Sequence, residues 1–198
     1  MANITKTDII NLALTNLGQD VISADNQNTA TARRANFMYD FARRNLLRAH
    51  DWIFAQRTAT LAESAAASPF TELPYVYALP ADALFLKAIF YEGSLFKIDL
   101  KHRMFVSDSG QKLVACSFAG PMAVYIKDED NPSLFEADFT ACLALLLAAE
   151  LAIPIAGDSN LAQLMLSKYQ AALDNARLTN KAEQFERPAR SSEFVEVR

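Results

Sequence analysis

Glycine is scarce in this chain, with five in 198 residues. Gly18, Gly93, Gly110, Gly120 and Gly157 each fall where the neighbouring pattern predicts an element end or a turn. No glycine-rich loop is left to bring backbone amides against a phosphate, which excludes the P-loop and dinucleotide fingerprints. Cysteine is scarcer still. Cys116 and Cys142 lie far apart, with neither metal-ligand spacing nor a disulfide framework. Their apolar neighbours read as those of buried free thiols, a usage that fits a reducing cytosol. The two histidines, His50 and His102, cannot complete a usual metal site with those cysteines. His50 is expected at a helix C-terminus, where imidazole suits the negative dipole end, and His102 in or beside a sheet turn. No serine sits in a G-x-S-x-G elbow. No cofactor or metal is expected.

A large charge excess is missing too. The net charge of −4 is mild and of the wrong sign for a general nucleic-acid binder. Long apolar runs are absent: the longest, residues 139–149, is bounded by Asp138 and Glu150. It falls short of the roughly 20 residues that span a bilayer, so it reads as a buried helix in a protein without a membrane role. Residues 1–8 are polar and lack the apolar centre of a signal peptide.

What is present is core material. At 52% hydrophobic, a chain of this length can bury roughly 70% of the surface its unfolded form exposes. Thr5 with Asp8 resembles a capping box opening a helix; Ile10, Ala13, Leu14 and Leu17 follow at helical spacing, and Gly18 stands at the C-terminal cap. A second helix should run from Asn28 or Thr29 to about His50, with Ala35, Met38, Ala42, Asn45 and Ala49 in steps of three and four beside Leu46. The helical period then fades. Residues 58–61, 75–79, 84–91, 95–100, 104–107, 112–118 and 122–127 read as short strands separated by turn signals, together one antiparallel sheet. Ser133 and Glu136 have capping-box spacing for a third helix, apolar on nearly every side and therefore central. Asp158 or Ser159 caps a fourth, with a seam of Ala162, Leu166, Tyr169, Leu173 and Ala176.

The fold expected is α+β. A bundle of about four helices (residues 1–56 and 128–181) carries an inserted antiparallel β domain (57–127), followed by an extended, flexible tail (182–198). The tail holds Phe185, Phe194, Val195 and Val197 as anchors, with Arg187 and Arg190 as further interface candidates, on a polar string too poor in apolar residues to pack alone.

Among features that could carry chemistry, paired carboxylates make the most serious enzymatic reading, since a glycan hydrolase needs only two acids. Glu136 is accounted for by its cap. Glu150 ends an apolar run, and burial there would raise its pKa as a general acid requires. The structural reading instead pairs Glu150 with an arginine of the second helix. That helix carries Arg33, Arg34, Arg43, Arg44 and Arg48. Asp40 precedes Arg44 by four, the favoured ion-pair orientation, whereas Arg44 and Arg48 repel mildly. The group is either a solvated face with local pairs or a surface for an anionic partner, a neighbouring protein or a DNA-lined channel. A DNA-binding accessory role is a further alternative, although the connection from Gly18 to Asn28 is long for a helix-turn-helix. Trp52, Phe54, Tyr75 and Tyr77 read as a packed junction between bundle and sheet.

Several stretches resemble the tail tubular protein A family of short-tailed phages, which are head-to-tail adaptors. The resemblance runs through Ile10-Asn11-Leu12-Ala13-Leu14, Leu17-Gly18, Ala32, Ala35, Tyr39-Asp40, Arg43, Leu46-Leu47-Arg48, Trp52-Ile53-Phe54-Ala55 and Tyr77-Ala78-Leu79-Pro80-Ala81-Asp82. Beyond Asp82 it is one of element order. These are packing signatures, not a chemical fingerprint. The resemblance implies a non-enzymatic virion subunit, present in the host cytoplasm during assembly. It implies a homo-oligomeric ring of twelve copies that docks on the portal protein, presents a surface to the tail nozzle protein and passes DNA without reading its sequence. The candidate interface residues are then the five arginines of the second helix together with the anchors and arginines of the tail.

Overall fold

The structure, a computed structural model, describes residues 4–91 and 101–183. The expected strand at 95–100, Gly93 and the tail candidates Phe185, Arg187, Arg190, Phe194, Val195 and Val197 lie outside the described residues. The architecture is α+β, with helices, two antiparallel sheets and then helices again.

Helix α1 (Lys6–Asn16) opens on the expected reciprocal cap. Thr5 Oγ1 accepts from the Asp8 amide (3.2 Å), and the Asp8 carboxylate accepts from the Thr5 amide (2.9 Å). The Thr5 hydroxyl, donating to the Asp8 carboxylate (2.6 Å), and then the Thr5 amide hold that carboxyl below its ordinary pKa. The helix ends where Gly18 turns to φ +65° and the Gly18 and Gln19 amides return to the Thr15 and Leu14 carbonyls. Asn11 then grips the following loop at both backbone groups of Ile22, at 2.9 Å each.

Helix α2 (Ala30–Ala49) is capped by Thr29 and followed by His50 as its C-cap. Its buried stripe is Ala32, Ala35, Tyr39, Ala42, Leu46 and Leu47, with Arg43 among them. Asn45 is exposed and Met38 only half-buried, so the inward face lies about one residue away from the expected line.

After a 3-10 turn at Ile53–Ala55, strand β1 (Gln56–Thr60) enters the first sheet, whose order is β1-β7-β4, with β4 Ala83–Tyr91 and β7 Pro121–Lys127. The chain crosses at Leu61 into a second sheet of order β2-β3-β6-β5, with β2 Ala62–Glu63, β3 Tyr75–Ala78, β5 His102–Val106 and β6 Lys112–Cys116. Two sheets therefore replace the single one expected. Their facing sides share an apolar layer: Leu61, Tyr77, Val114, Cys116 and Phe118 meet Leu86, Ile89 and Ala123. The strand period of two explains the rest. Leu113 and Ala115, alternating with Val114 and Cys116, face outward beneath Leu73 and Phe70 of the loop between β2 and β3. Ile126 of β7 points the other way, into the helical core.

Re-entry to the bundle departs from the expected cap. Pro132 starts a 3-10 turn (Pro132–Leu134), and Asn131 Oδ1 accepts from the Ser133 amide (3.1 Å). Phe135 is extended, and helix α3 (Ala137–Leu151) begins with Glu136 as N-cap residue, without a side-chain cap bond. Ser133 is thus a turn residue, and the Ser133/Glu136 capping box does not form. Phe135 instead joins Phe54 and Phe139 (centroids 5.5 and 4.7 Å).

Helix α3 is central, as expected from its all-round apolarity, and packs against α1, α2 and α4. A π-helical turn (Ala152–Ala156) prolongs it before Gly157 reverses at φ +69°. The combined segment Ala137–Ala156 is, by length and composition, apolar enough to cross a membrane, contrary to the run-length argument; half of it is buried in the fold. Helix α4 (Ser159–Glu183) is capped by Asp158, whose Oδ1 accepts from the Asn160 and Leu161 amides (2.8 and 3.1 Å). Its seam uses Met165 in place of Leu166, which is exposed; 3.6 residues per turn carries the line from Met165 through Tyr169 to Leu173 and Ala176.

Trp52 is buried. Its indole donates to the Leu46 carbonyl (2.9 Å) and stands edge-on to Phe139 (5.0 Å). The expected junction of Trp52, Phe54, Tyr75 and Tyr77 does not exist. Trp52 and Phe54 belong to the bundle, Tyr77 packs between the sheets, and Tyr75 is exposed, because β3 lies in the sheet farther from the helices.

Phe139 is fully buried at the centre of this aromatic group. Phe139→Ala should lower stability by about 3–5 kcal/mol in urea denaturation; a loss under about 1 kcal/mol would show that the group is not the keystone of the bundle. Burial also pushes both thiols up, Cys142 to about 11. At pH 8 the folded chain should resist iodoacetamide at both cysteines, while the urea-unfolded chain takes up two labels; stoichiometric labelling of folded protein would contradict this placement.

Candidate functional site

Helix α2 presents two different chemistries on two faces that meet at Arg44. The inner side carries a charge cluster. Arg43, only 2% exposed, donates to Asp128 Oδ1 (2.6 Å) and to the Glu129 carbonyl (2.7 Å). Arg44 Nε takes the other Asp128 oxygen (2.8 Å). The buried Glu129 carboxylate accepts from Arg57 and Lys127, both at 3.1 Å. Bonds between α2 and the end of β7 thus fix how helices meet sheets. Asp40 faces Arg43 at 3.5 Å, so the expected Asp40–Arg44 pair is replaced. The anion that relieves Arg44 beside Arg48 is Asp128, 84 residues distant in sequence.

The other arginines are exposed but each has a local bond. Arg33 reaches Asn28 Oδ1 (2.5 Å), Arg34 the Pro154 carbonyl in the π-helical turn (2.7 Å), and Arg48 the Leu84 carbonyl on β4 (3.1 Å). The expectation of five interface arginines therefore divides. Arg43 is enclosed within the chain and presents no guanidinium outward, because the inward stripe of α2 passes through it. Arg33, Arg34, Arg44 and Arg48 stay on the surface, and a guanidinium has five donors, more than these bonds use.

The outer side of α2 holds what the arginine pattern overlooked. Phe37 is 82% exposed and Phe41 56%. With Met38 and Leu84 they floor a groove of about 750 Å³, bordered by Arg44, Asn45 and Arg48. The signal was present in the sequence: Phe37 and Phe41 are four apart and off the phase of Ala35, Tyr39, Ala42 and Leu46. Aromatic side chains flanked by guanidinium groups are the usual composition of an interface centre. The groove can seat apolar side chains while offering donors to carboxylates beside them.

Glu150 fits neither earlier reading. It is exposed, not enclosed by the apolar run it ends, and among the described residues it forms no ion pair with an α2 arginine. Among the described residues, no group of three His, Cys, Asp or Glu side chains converges as a metal site. No protein-family model matches this chain, and no curated protein matches it either.

Two substitutions separate the inner cluster from ordinary surface charge. Arg43→Met removes the buried guanidinium that Asp128 and the Glu129 carbonyl share and should cost about 3 kcal/mol, even with Arg44 still on Asp128. Arg44→Ala, at a half-exposed position, should cost under about 1 kcal/mol. Equal losses in chemical denaturation would remove the inner cluster as the tie between helices and sheets.

Proposed function

We propose that this chain is a structural, non-catalytic subunit of a phage head-to-tail connector. Copies assemble into a ring that docks on the portal protein and meets the tail nozzle protein. The ring leaves a channel through which DNA passes without sequence-specific binding. The chain resides in the virion, and in the host cytoplasm during assembly. The observation that carries this reading is the outer face of α2, an exposed aromatic pair edged by Arg44 and Arg48 on a helix held at many points. Contiguous apolar surface of this kind marks an interaction site. The residues that resemble the adaptor family add support through their placement. Ile10, Ala13, Leu14, Ala32, Ala35, Tyr39, Leu46, Leu47, Trp52 and Ala55 are all buried in the bundle that sets the direction of that face. Ring assembly is the setting in which such a face finds a neighbour.

Light scattering on the purified chain, alone and mixed with a portal ring from a short-tailed phage host system, tests the reading. The expected result is addition of many copies per portal ring, with twelve the number implied by the resemblance. A chain that stays separate from the portal at every ratio and forms no ring of its own would overturn it.

A further inference from the structure

We infer that the groove on the outer face of α2 receives the segment Glu193-Phe194-Val195-Glu196-Val197 of a second copy of this chain. The inference rests on the connector reading for its choice of a second copy, and on chemistry and chain reach for its choice of segment. The groove suits an occupant with apolar side chains for Phe37, Phe41 and Leu84 and with a carboxylate for Arg48 and for the donors Arg44 keeps beyond its bond to Asp128. When extended, residues 193–197 turn Glu193, Val195 and Val197 to one side and Phe194 and Glu196 to the other, so either side offers apolar carbon and a carboxylate without an intervening cation. The rest of residues 184–198 does not match as well, because Arg187, Arg190 and Arg198 would bring like charge to the guanidinium edge.

Reach is sufficient. Arg177 of α4 donates to the Ala49 carbonyl at the end of α2 (3.2 Å), and α4 continues to Glu183, about 9 Å farther along its axis. The fifteen residues that follow can extend to about 50 Å, enough to arrive at an adjacent molecule. From Phe37 to Arg48 the helix is about 16 Å long, close to the span of five extended residues. Groove and segment are different surfaces, so their pairing between copies is heterologous. Heterologous pairing closes into a ring when its rotation permits, which is the assembly a connector requires. Each link is small, and repetition around the ring supplies the strength.

A fluorescein-labelled peptide of residues 184–198 is the probe, and the full chain carrying Phe194→Ser and Val195→Ser is the receptor. Saturable binding is expected, weakened about tenfold or more when Phe37→Ser and Phe41→Ser are added. Both side chains are exposed, so folding is retained. Arg48→Glu should weaken binding as well, and a Glu196→Arg peptide should restore it. The segment-altered chain and the groove-altered chain should each be monomeric alone and form a dimer, and nothing larger, when mixed. Peptide binding indifferent to Phe37 and Phe41 would overturn the inference. So would an unaltered chain that stays monomeric and refuses the peptide its segment-altered form accepts, since the segment would then lie on its own molecule. Groove-altered chain that still adds to portal rings in full number would sink this pairing while leaving the connector reading in place.

Discussion

A guanidinium enclosed among helices must meet an anion there, because leaving it uncompensated costs several kcal/mol. In this chain the requirement falls on Arg43, and the anion that answers it is Asp128, just past the last strand of the first sheet. Glu129 beside it, also enclosed, binds Arg57 at the beginning of the first strand and Lys127 at the end of the last. The two places where the polypeptide passes between helices and sheets are therefore held side by side by one set of charges. That set ties α2 to the start of the first strand and the end of the last.

Local chemistry made most of the helical framework legible. The Thr5 and Asp8 cap, the reversal at Gly18, the start of α2 after Thr29 and the Asp158 cap depend on residues a few positions apart, so spacing reveals them. The central place of α3 follows in the same way from its composition. The Ser133 and Glu136 spacing misled because Asn131 and Pro132, immediately upstream, form a tighter turn that takes the Ser133 amide first. The division into two sheets was not legible. It depends on the chain changing partner at Leu61, where a strand-like stretch looks continuous in sequence.

The candidate site was half legible for a related reason. The arginines of α2 stand out by type, and their partners do not, because Asp128, Pro154 and Leu84 are brought to them only by folding. Charge alone could not separate the enclosed Arg43 from its exposed neighbours Arg44 and Arg48. Phe37 and Phe41 are not marked by type, since an exposed phenylalanine and a core one are the same residue in sequence. Their phase on the helix, read against Tyr39 and Leu46, places them outside the core.

The chain has a single tryptophan, and Trp52 sits where the end of α2 meets Phe139 of α3. Its emission is consequently a private channel to the helical half of the molecule. A change in the intensity or wavelength of that light reports loosening of the bundle. Disturbance confined to the paired sheets, which hold tyrosines but no indole, leaves it dark to the observer.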